Sequence, residues 1–298
     1  MEHCELLIVG GGAAGISAAL SARAAGARDI LLVDRRNMLG GVLPQCIHRG
    51  FGQNAPEGEL TGPEYAKRLA QALHATEIMV LTETTVVSVS GDRTAVLSSR
   101  GCLRDLGFER LILASGCREK AIGSLNIAGT RPAGIFTAGQ AQELMNLQHL
   151  KLGDTAVVVG SGDLGMIVAR RFTLRGGTVA AVVEKEPRYG GMARNYHRCM
   201  ESCEIPLLCS AVVTQVLGID RVCGVHLRHL ESGQEETLPC DTLLIAAGLV
   251  PERGLLASVG AQPWVSLCGN CSKIHELVDS AVAEAEQVGA AMGGRRKL

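Results

Sequence analysis

The sequence predicts an α/β fold of two similar units, the second inserted in the first. Three observations support this. An apolar strand runs into G-x-G-x-x-G at residues 8–15, and an Ala-rich helix follows. The same pattern returns about 150 positions later, at residues 157–165. Two further apolar runs, 111–116 and 243–248, each end in small residues. Such continuous apolar runs are typical of strands buried in a parallel sheet.

The first motif has the features of a dinucleotide-binding, or Rossmann-like, turn. Gly10 would make the tight turn out of the strand, Gly12 would let the backbone approach a pyrophosphate, and Gly15 would let the helix pack on the strand. Free N–H groups at the helix start favour phosphate. The next apolar strand, 30–33, ends at Asp34, which is placed to accept a hydrogen bond from a ribose hydroxyl. The predicted phosphate-binding turn comprises Gly10, Gly12, Ala13, Ala14 and Gly15.

The second motif repeats these landmarks in register. Its three glycines align with those of the first motif, and Glu184 aligns with Asp34. The pair Gly40–Gly41 aligns with Gly190–Gly191. This agreement favours two dinucleotide sites, the alternative being one working site and one decayed copy. The second predicted turn comprises Gly160, Gly162, Asp163, Leu164 and Gly165.

Composition narrows the class of protein. A length of 298 residues suggests about two domains, and 47% hydrophobic with 20% charged residues is typical of a packed globular chain. The net charge of −1 does not indicate the basic surface that binds nucleic acid. The sequence has no apolar run of 18 residues, so no membrane span is predicted. The N-terminus enters a strand at once, so we expect no secretion signal and a cytoplasmic location. There the eleven cysteines would be reduced.

Local signals define several further elements. Thr61 followed by Glu64 predicts a capping box and a helix running to about residue 75. Alternating segments at 78–81, 86–89 and 94–97 predict a small antiparallel meander laid over the sheet.

The repeat also sets the expected domain boundaries. Because 243–246 has the pattern of 111–114, we expect the chain to re-enter the first domain there. The predicted first domain is therefore 1–122 together with 243–298, and the predicted inserted domain is 123–242.

Two Rossmann-like units, one inserted in the other, resemble the two-dinucleotide-binding flavoproteins, the pyridine nucleotide-disulfide oxidoreductase superfamily that includes thioredoxin reductase. The sequence resembles one branch most closely: FAD/NAD-dependent oxidoreductase subunits of glycerol-3-phosphate, sarcosine, proline, hydroxyproline and opine dehydrogenase systems. The blocks that carry this resemblance are 40–48 (GGVLPQCIH), 60–65 (LTGPEY), 129–139 (GTRPAGIFTAG), 160–165 (GSGDLG) and 268–270 (CGN).

The resemblance implies FAD in the first unit and NAD(H) in the inserted one. Glu184 favours a free ribose 2′-hydroxyl and repels a 2′-phosphate, which favours NAD(H) over NADP(H), while Lys185 and Arg188 keep NADP(H) open. The implied FAD contacts are Gly10, Gly12, Ala13, Ala14, Gly15, Asp34, Arg35, Gly40, Gly41, Val42, Ala114, Ser115, Gly116, Gly269 and Asn270. The implied NAD contacts are Gly160, Gly162, Asp163, Leu164, Gly165, Glu184, Ala247 and Gly248.

One segment departs from this family. Only 19 residues, 249–267, separate Gly248 from Cys268. Relatives carry a longer segment there, with a β-hairpin and a strand that leads into the second FAD contact. The resemblance implies that this segment helps to hold the flavin, so its shortening bears on flavin affinity.

Cysteines near the expected flavin raise a catalytic alternative. Cys46 follows the Gly40–Gly41 pair, where disulfide reductases keep a redox cysteine, but no C-x-x-C or C-x-x-x-x-C partner accompanies it. It is either a flavin-facing thiol tuned by His48 or a packing residue. Cys268 and Cys271 form a C-x-x-C, which is either a dithiol or part of the flavin-contact block. No metal is expected, since a zinc site needs four ligands and only His275 lies near these two cysteines in the sequence.

These features predict an FAD-dependent oxidoreductase subunit in which hydride passes between nicotinamide C4 and flavin N5. The partner that the resemblance implies is a second flavoprotein dehydrogenase subunit, with a small cysteine-rich protein as a further candidate. One alternative is a stand-alone thiol-dependent NADH oxidase or disulfide reductase that uses Cys46. Another is a cofactor-loaded structural subunit whose partner performs the catalysis.

Overall fold

The computed structural model describes residues 2–53 and 58–294. Within them the chain divides into two compact units. The first unit takes the described residues of Met1–Arg118 and Val250–Leu298, and the second is Glu119–Leu249.

Twenty strands and six α-helices make up the regular structure of the described residues. The strands are β1 (Glu2–Val9), β2 (Ile30–Val33), β3 (Arg49–Phe51), β4 (Leu60–Thr61), β5 (Met79–Leu81), β6 (Thr84–Val89), β7 (Thr94–Ser99), β8 (Cys102–Leu113), β9 (Cys117–Glu119), β10 (Ala128–Gly129), β11 (Ile135–Thr137), β12 (Thr155–Val159), β13 (Thr178–Val183), β14 (Leu207–Leu208), β15 (Ala211–Gly218), β16 (Val222–His229), β17 (Glu235–Leu238), β18 (Thr242–Ile245), β19 (Leu249–Pro251) and β20 (Val265–Leu267). The helices are α1 (Ala13–Ala24), α2 (Gly62–His74), α3 (Ala138–Asn146), α4 (Asp163–Leu174), α5 (Ala193–Asn195) and α6 (Val278–Gly293).

The first unit is built on a mostly parallel sheet. Its parallel strands follow the order β5-β2-β1-β8, with β20 on the far side of β8. Val9 is in register with both Val33 and Leu113, so three strands end at one level. The residues that follow these ends therefore meet at the carboxyl edge of the sheet, where ligands bind in such folds.

The second unit repeats this arrangement. Its five-stranded parallel sheet has the order β11-β18-β12-β13-β14. Val159 is in register with Val183 and with Ile245, as Val9 is with its two neighbours. A second sheet, β10-β15-β16-β17, lies in the same unit and is antiparallel apart from the β10–β15 pair.

This topology corrects two expectations. Strand β18 pairs with β12 and β11, so it belongs to the second unit, and the expected return to the first domain at residue 243 is wrong. The chain returns at Val250, and β20 completes the first sheet. Strand β5 runs parallel to β2 at the sheet edge, so the 78–81 segment is not part of the meander. The long strand β8 takes that place, pairing antiparallel with β7.

Helix α2 starts as the sequence predicts. The Thr61 hydroxyl accepts a hydrogen bond from the Glu64 N–H, and Glu64 Oε2 accepts one from the Thr61 N–H over 2.7 Å. The capping box is therefore confirmed.

Helix α6 crosses α1 at very short range. A Cβ added to Gly289 would lie 2.3 Å from the carbonyl oxygen of Ala18, and Gly293 has the same relation to Ala22. This close crossing packs α6 against the middle and the C-terminal part of α1. Neither α6 nor any other helix within 2–53 and 58–294 is long and apolar enough to cross a membrane.

Candidate functional site

The first glycine turn leaves no room for side chains at two positions. Gly10 has φ +112°, and a Cβ there would lie 2.3 Å from the Ala114 carbonyl oxygen. A Cβ on Gly15 would lie 1.8 Å from the Gly10 carbonyl oxygen. Both distances are far inside van der Waals contact, so the turn packs directly on α1 and on the end of β8.

Gly12 faces open space instead. A Cβ there would meet only Gly41 Cα, at 3.8 Å. Gly12 is the N-cap residue of α1, and among the described residues no side chain caps this helix. The first N–H groups of α1 are therefore available to an anion, which the helix dipole also favours.

Asp34 is tied to this turn. The Gly11 N–H donates to Asp34 Oδ2 over 2.6 Å, and the Arg36 N–H donates to Oδ1 over 2.7 Å. The side chain is buried, whereas Arg35 beside it is exposed. The carboxylate thus lies at the carboxyl edge of the sheet, next to the phosphate-binding turn.

The loop after Asp34 closes over the turn. The Gly40 N–H donates to the Gly11 carbonyl, and Gly40 forms an isolated parallel bridge with Gly12. Gly41 has φ +59°, and a Cβ on it would lie 3.0 Å from Gly12 Cα. Val42, next in the chain, is exposed. The aligned glycine pair is therefore needed for close backbone approach.

The second turn is a near copy. Gly160 has φ +99°, and its Cβ would lie 2.4 Å from the Ala246 carbonyl oxygen. A Cβ on Gly165 would lie 2.2 Å from the Gly160 carbonyl oxygen, whereas one on Gly162 would meet nothing within 4 Å. No side chain of the described residues caps α4 either.

Glu184 takes the place of Asp34. Its Oε2 accepts hydrogen bonds from the Ser161 N–H at 2.9 Å and the Ser161 hydroxyl at 2.7 Å, and its Oε1 accepts one from the Glu186 N–H at 3.1 Å. Burial disfavours the charge, but these hydrogen bonds outweigh it and lower the pKa of Glu184. The carboxylate is therefore ionised at neutral pH.

Asp163 fixes the loop that follows Glu184. Its Oδ1 accepts a hydrogen bond from the Met192 N–H at 2.8 Å and from Asn195 Nδ2 at 2.7 Å. A Cβ on Gly191 would lie 2.8 Å from the Asp163 nitrogen. The neighbouring Leu164 packs against the core of this unit. Asp163 therefore acts on the protein's own loop at the start of α4.

The small residues at the ends of β8 and β18 lie beside the two turns. Ser115 donates its hydroxyl hydrogen to the Glu252 carbonyl over 2.6 Å. Gly116 has φ +74° and Gly248 has φ +111°, so both strand ends leave the sheet through a glycine turn. Ala247, which precedes Gly248, packs against the core of its unit.

The C-terminal motif reaches the first site. Gly269 has φ +66°, and its Cβ would lie 2.6 Å from Ala14 Cβ. The Gly269 N–H donates to Glu284 Oε2 over 2.8 Å, and Asn270 Oδ1 accepts from the His275 N–H over 3.0 Å. Burial disfavours charge on Glu284, but hydrogen bonds from His275 and Gly269 outweigh it and lower the pKa of Glu284. The structure thus brings together two motifs that are more than 250 residues apart in sequence.

Cys46 lies half-buried at the start of the loop that leads to α2. Its thiol donates to the Val42 carbonyl over 3.3 Å, and burial raises its pKa to about 12. Nδ1 of His48 lies 3.0 Å from the Arg49 carbonyl oxygen, and its ring packs 5.0 Å from that of Phe51. A thiol with so high a pKa is protonated at neutral pH and is a poor nucleophile.

The C-x-x-C cysteines are both fully buried. Burial raises the pKa of Cys268 to about 12, and the Cys271 thiol donates to the Leu113 carbonyl over 2.9 Å. All eleven cysteines are unbridged. Among residues 2–53 and 58–294, no group of three or more His, Cys, Asp or Glu side chains is arranged to hold a metal ion.

Sequence reasoning missed four residues beside the two glycine turns. Ser161, the variable position of G-x-G, bonds to Glu184 through two atoms. Glu284 anchors the Gly269 turn from a helix 15 residues further on. Tyr189 and Tyr196 stack ring on ring beside the second turn. Only Ser161 carried a local signal, since a hydroxyl at that position can reach a carboxylate at the end of the next strand.

Two glycine turns, each backed by a carboxylate at the end of the neighbouring strand, are typical of proteins with two dinucleotide-binding units. The model of the pyridine nucleotide-disulphide oxidoreductase family matches residues 4–264, and the chain belongs to this family. Members of the family are oxidoreductases that generally bind FAD and NAD(P). The expected superfamily, fold class and enzyme class are confirmed.

Among curated proteins, the chain is 28% identical to the alpha subunit of sarcosine oxidase from Rhizobium meliloti, over 88% of this chain and 26% of that protein. It is 26% identical to an opine oxidase subunit from the same species, over 88% of this chain and 53% of that protein. The chain thus spans about a quarter to a half of these relatives. Thioredoxin reductase of T. acidophilum has a similar fold, with a TM-score of 0.81 at 21% identity and 98% coverage of both chains.

Proposed function

We propose that the chain is an FAD-dependent oxidoreductase subunit that transfers electrons between NAD(H) and a flavin on behalf of a partner dehydrogenase subunit. The observation that carries this proposal is the duplicated turn. Each unit pairs an uncapped helix start with a buried carboxylate bonded to the same turn, through Gly11 in one and Ser161 in the other. These are the two contacts that a dinucleotide needs, for its pyrophosphate and for its ribose.

FAD suits the first unit. The open space above Gly12 offers room for a pyrophosphate, and Asp34 would accept a ribose hydroxyl. The contact of Gly269 with Ala14 supports a role for the C-terminal motif at the same site. The strand that leads into this motif persists in the short 249–267 segment, because β20 pairs with β8 over three residues.

NAD(H) suits the second unit. The ionised Glu184 would bond to a ribose 2′-hydroxyl and repel a 2′-phosphate. Lys185, the next residue in the chain, pairs with Glu186: its Nζ lies 3.2 Å from Glu186 Oε1, and both side chains are exposed. Gly162 and the start of α4 would hold the pyrophosphate, and Asp163 would keep the covering loop in place.

The bound cofactors would supply the redox chemistry, a hydride exchange between nicotinamide C4 and flavin N5. The chain's own residues would bind and orient the two cofactors. Asp34 and Glu184 would fix the two ribose ends, and the glycine turns would bring backbone N–H groups to the phosphates. Glu284 would hold the Gly269 turn in position through its hydrogen bond.

In this proposal a partner subunit binds and oxidises the substrate. Two nucleotide units occupy the described chain, and the relatives are named as subunits of sarcosine and opine oxidases. We infer that a second flavoprotein dehydrogenase subunit, with a small cysteine-rich protein as a further candidate, completes the enzyme. The high pKa of Cys46 disfavours the thiol-dependent reductase.

Turnover by the isolated chain tests the proposal. The FAD-loaded chain should reduce artificial dyes with NADH but show little oxidation of amino acids, opines or glycerol 3-phosphate. Rapid reduction of a disulfide by the isolated chain would favour the thiol-dependent reductase instead. A flavin that NADH cannot reduce would favour the structural subunit.

A further inference from the structure

Two of the three tyrosines in this aromatic-poor chain form one stacked pair. The rings of Tyr189 and Tyr196 have centroids 4.3 Å apart and planes inclined by 8°. Tyr196 packs against the hydrophobic core of the second unit. Tyr189 stacks on Tyr196 and stays half-exposed. The pair is therefore an aromatic stack that is anchored on the core through Tyr196, with both tyrosines half-buried.

The pair is attached to the second carboxylate. Tyr189 directly precedes Gly190, whose N–H donates to the Ser161 hydroxyl oxygen over 2.9 Å. The same hydroxyl donates to Glu184 Oε2. The stack thus lies one residue from the hydrogen-bond chain that ends on Glu184.

The end of the loop that carries Tyr196 is fixed as well. Asp163 accepts hydrogen bonds from Met192 and from Asn195, the residue before Tyr196. The loop between the two tyrosines is therefore fixed through Ser161 at one end and through Asp163 at the other. The stack is preformed, so a ligand would not bear the entropic cost of ordering it.

The equivalent place in the first unit differs. The position aligned with Tyr189 is Leu39, and a Cβ added to Gly11 would lie 2.6 Å from Leu39 Cδ2. The leucine thus covers Gly11, which has no side chain. In the second unit Ser161 fills that space, and residue 189 stacks on Tyr196 instead. The aromatic stack is specific to the second unit.

We propose that Tyr189, backed by Tyr196, is the platform on which the second unit stacks the adenine ring of its nucleotide. This rests on the proposed NAD(H) site. The glycine turn marks the pyrophosphate and Glu184 marks the adjoining ribose, so the base would lie next to Glu184. Tyr189 is one residue from Gly190, whose added Cβ would lie 4.0 Å from Glu184 Oε2. Every purine has a π face, and stacking on an aromatic side chain is an established way to bind a base.

Binding of ADP-ribose, which has the adenine and no nicotinamide, tests the platform. Titration calorimetry on the FAD-loaded chain should show that Tyr189→Leu, which installs the first unit's residue, weakens ADP-ribose binding about fivefold or more, the lower end of what one stacked base contributes. Tyr189→Phe keeps the ring and should stay within about twofold. The flavin spectrum should match the wild type in both variants, because the stack lies in the second unit.

Proton NMR of the bound ligand separates stacking from a structural role. Adenine H2 and H8 should shift upfield on the wild type and on Tyr189→Phe, through ring currents, and the shift should vanish with Tyr189→Leu. Equal ADP-ribose affinity in wild type and Tyr189→Leu would overturn the platform alone. Failure of the wild type to bind either ADP-ribose or NADH would overturn the NAD(H) site itself.

Discussion

Removing the charge of Glu184 should abolish the discrimination between NADH and NADPH. The Glu184→Gln variant keeps the shape of the side chain and an oxygen for Ser161. The lowered pKa means that the wild-type group is a full negative charge at neutral pH. Loss of the charge removes the repulsion of a 2′-phosphate and only weakens the hydrogen bond to a ribose 2′-hydroxyl, so selectivity should fall more than NADH affinity.

The magnitude follows from Coulomb's law. Two unit charges about 4 Å apart interact with roughly 1 kcal/mol in water and about 4 kcal/mol at an effective dielectric constant of about 20. The interaction of a bound 2′-phosphate with Glu184 is expected to lie between these limits, and about 1.4 kcal/mol corresponds to tenfold. We therefore expect the wild type to bind NADH at least about tenfold more tightly than NADPH, and the variant to bind the two within about threefold.

The assay is equilibrium titration of both nucleotides against the FAD-loaded chain. Glu235→Gln removes the same charge from an exposed strand position in the same unit and should leave the preference unchanged. If Glu184→Gln keeps a tenfold preference for NADH, the carboxylate does not set selectivity. If the wild type uses both nucleotides equally, Lys185 or Arg188 neutralises it.

Three further outcomes follow from the structure. The Gly12→Val variant should fold, because a Cβ at this position meets only Gly41 Cα at 3.8 Å, but its side chain would fill the pyrophosphate space and prevent FAD binding. The control variant Gly91→Val, whose Cβ meets nothing within 4 Å, should keep FAD. The measurement is the flavin content per chain. Cys46→Ser should leave NADH-to-dye turnover within about threefold, under about 0.7 kcal/mol of barrier change, and abolished turnover would favour the thiol-dependent reductase. Because the pKa of Glu184 is lowered in the fold, its stabilisation is complete above the ordinary glutamate pKa of about 4.3 and is lost as pH falls through the lower folded value. Denaturant titrations between about pH 3 and pH 6 should therefore show a smaller pH dependence in Glu184→Gln, and identical slopes would contradict this.

The sequence was sufficient to predict the features whose signal is local and repeated. The glycine turns, the carboxylates that end the next strands and the Thr61 capping box need only short spacings, and the structure has them all. Each of these features lies within one βαβ unit or one helix start, where residue type dictates backbone geometry.

Long-range packing could not be predicted in the same way. Strands β18 and β8 have similar apolar sequences because each pairs with the strand that leads into a glycine turn. The sequence pattern does not indicate which of the two sheets β18 joins. The contact of Gly269 with Ala14 joins residues that are more than 250 positions apart in the chain. The Tyr189–Tyr196 stack depends on a loop folded by Asp163, which no periodic pattern marks.

The absorbance spectrum of the purified chain, before and after anaerobic addition of NADH, tests the two-site proposal most directly. We predict a yellow protein with about one FAD per chain, whose flavin bands bleach when NADH is added. A colourless protein that fails to take up added FAD, or a bound flavin that stays oxidised under excess NADH, would contradict it.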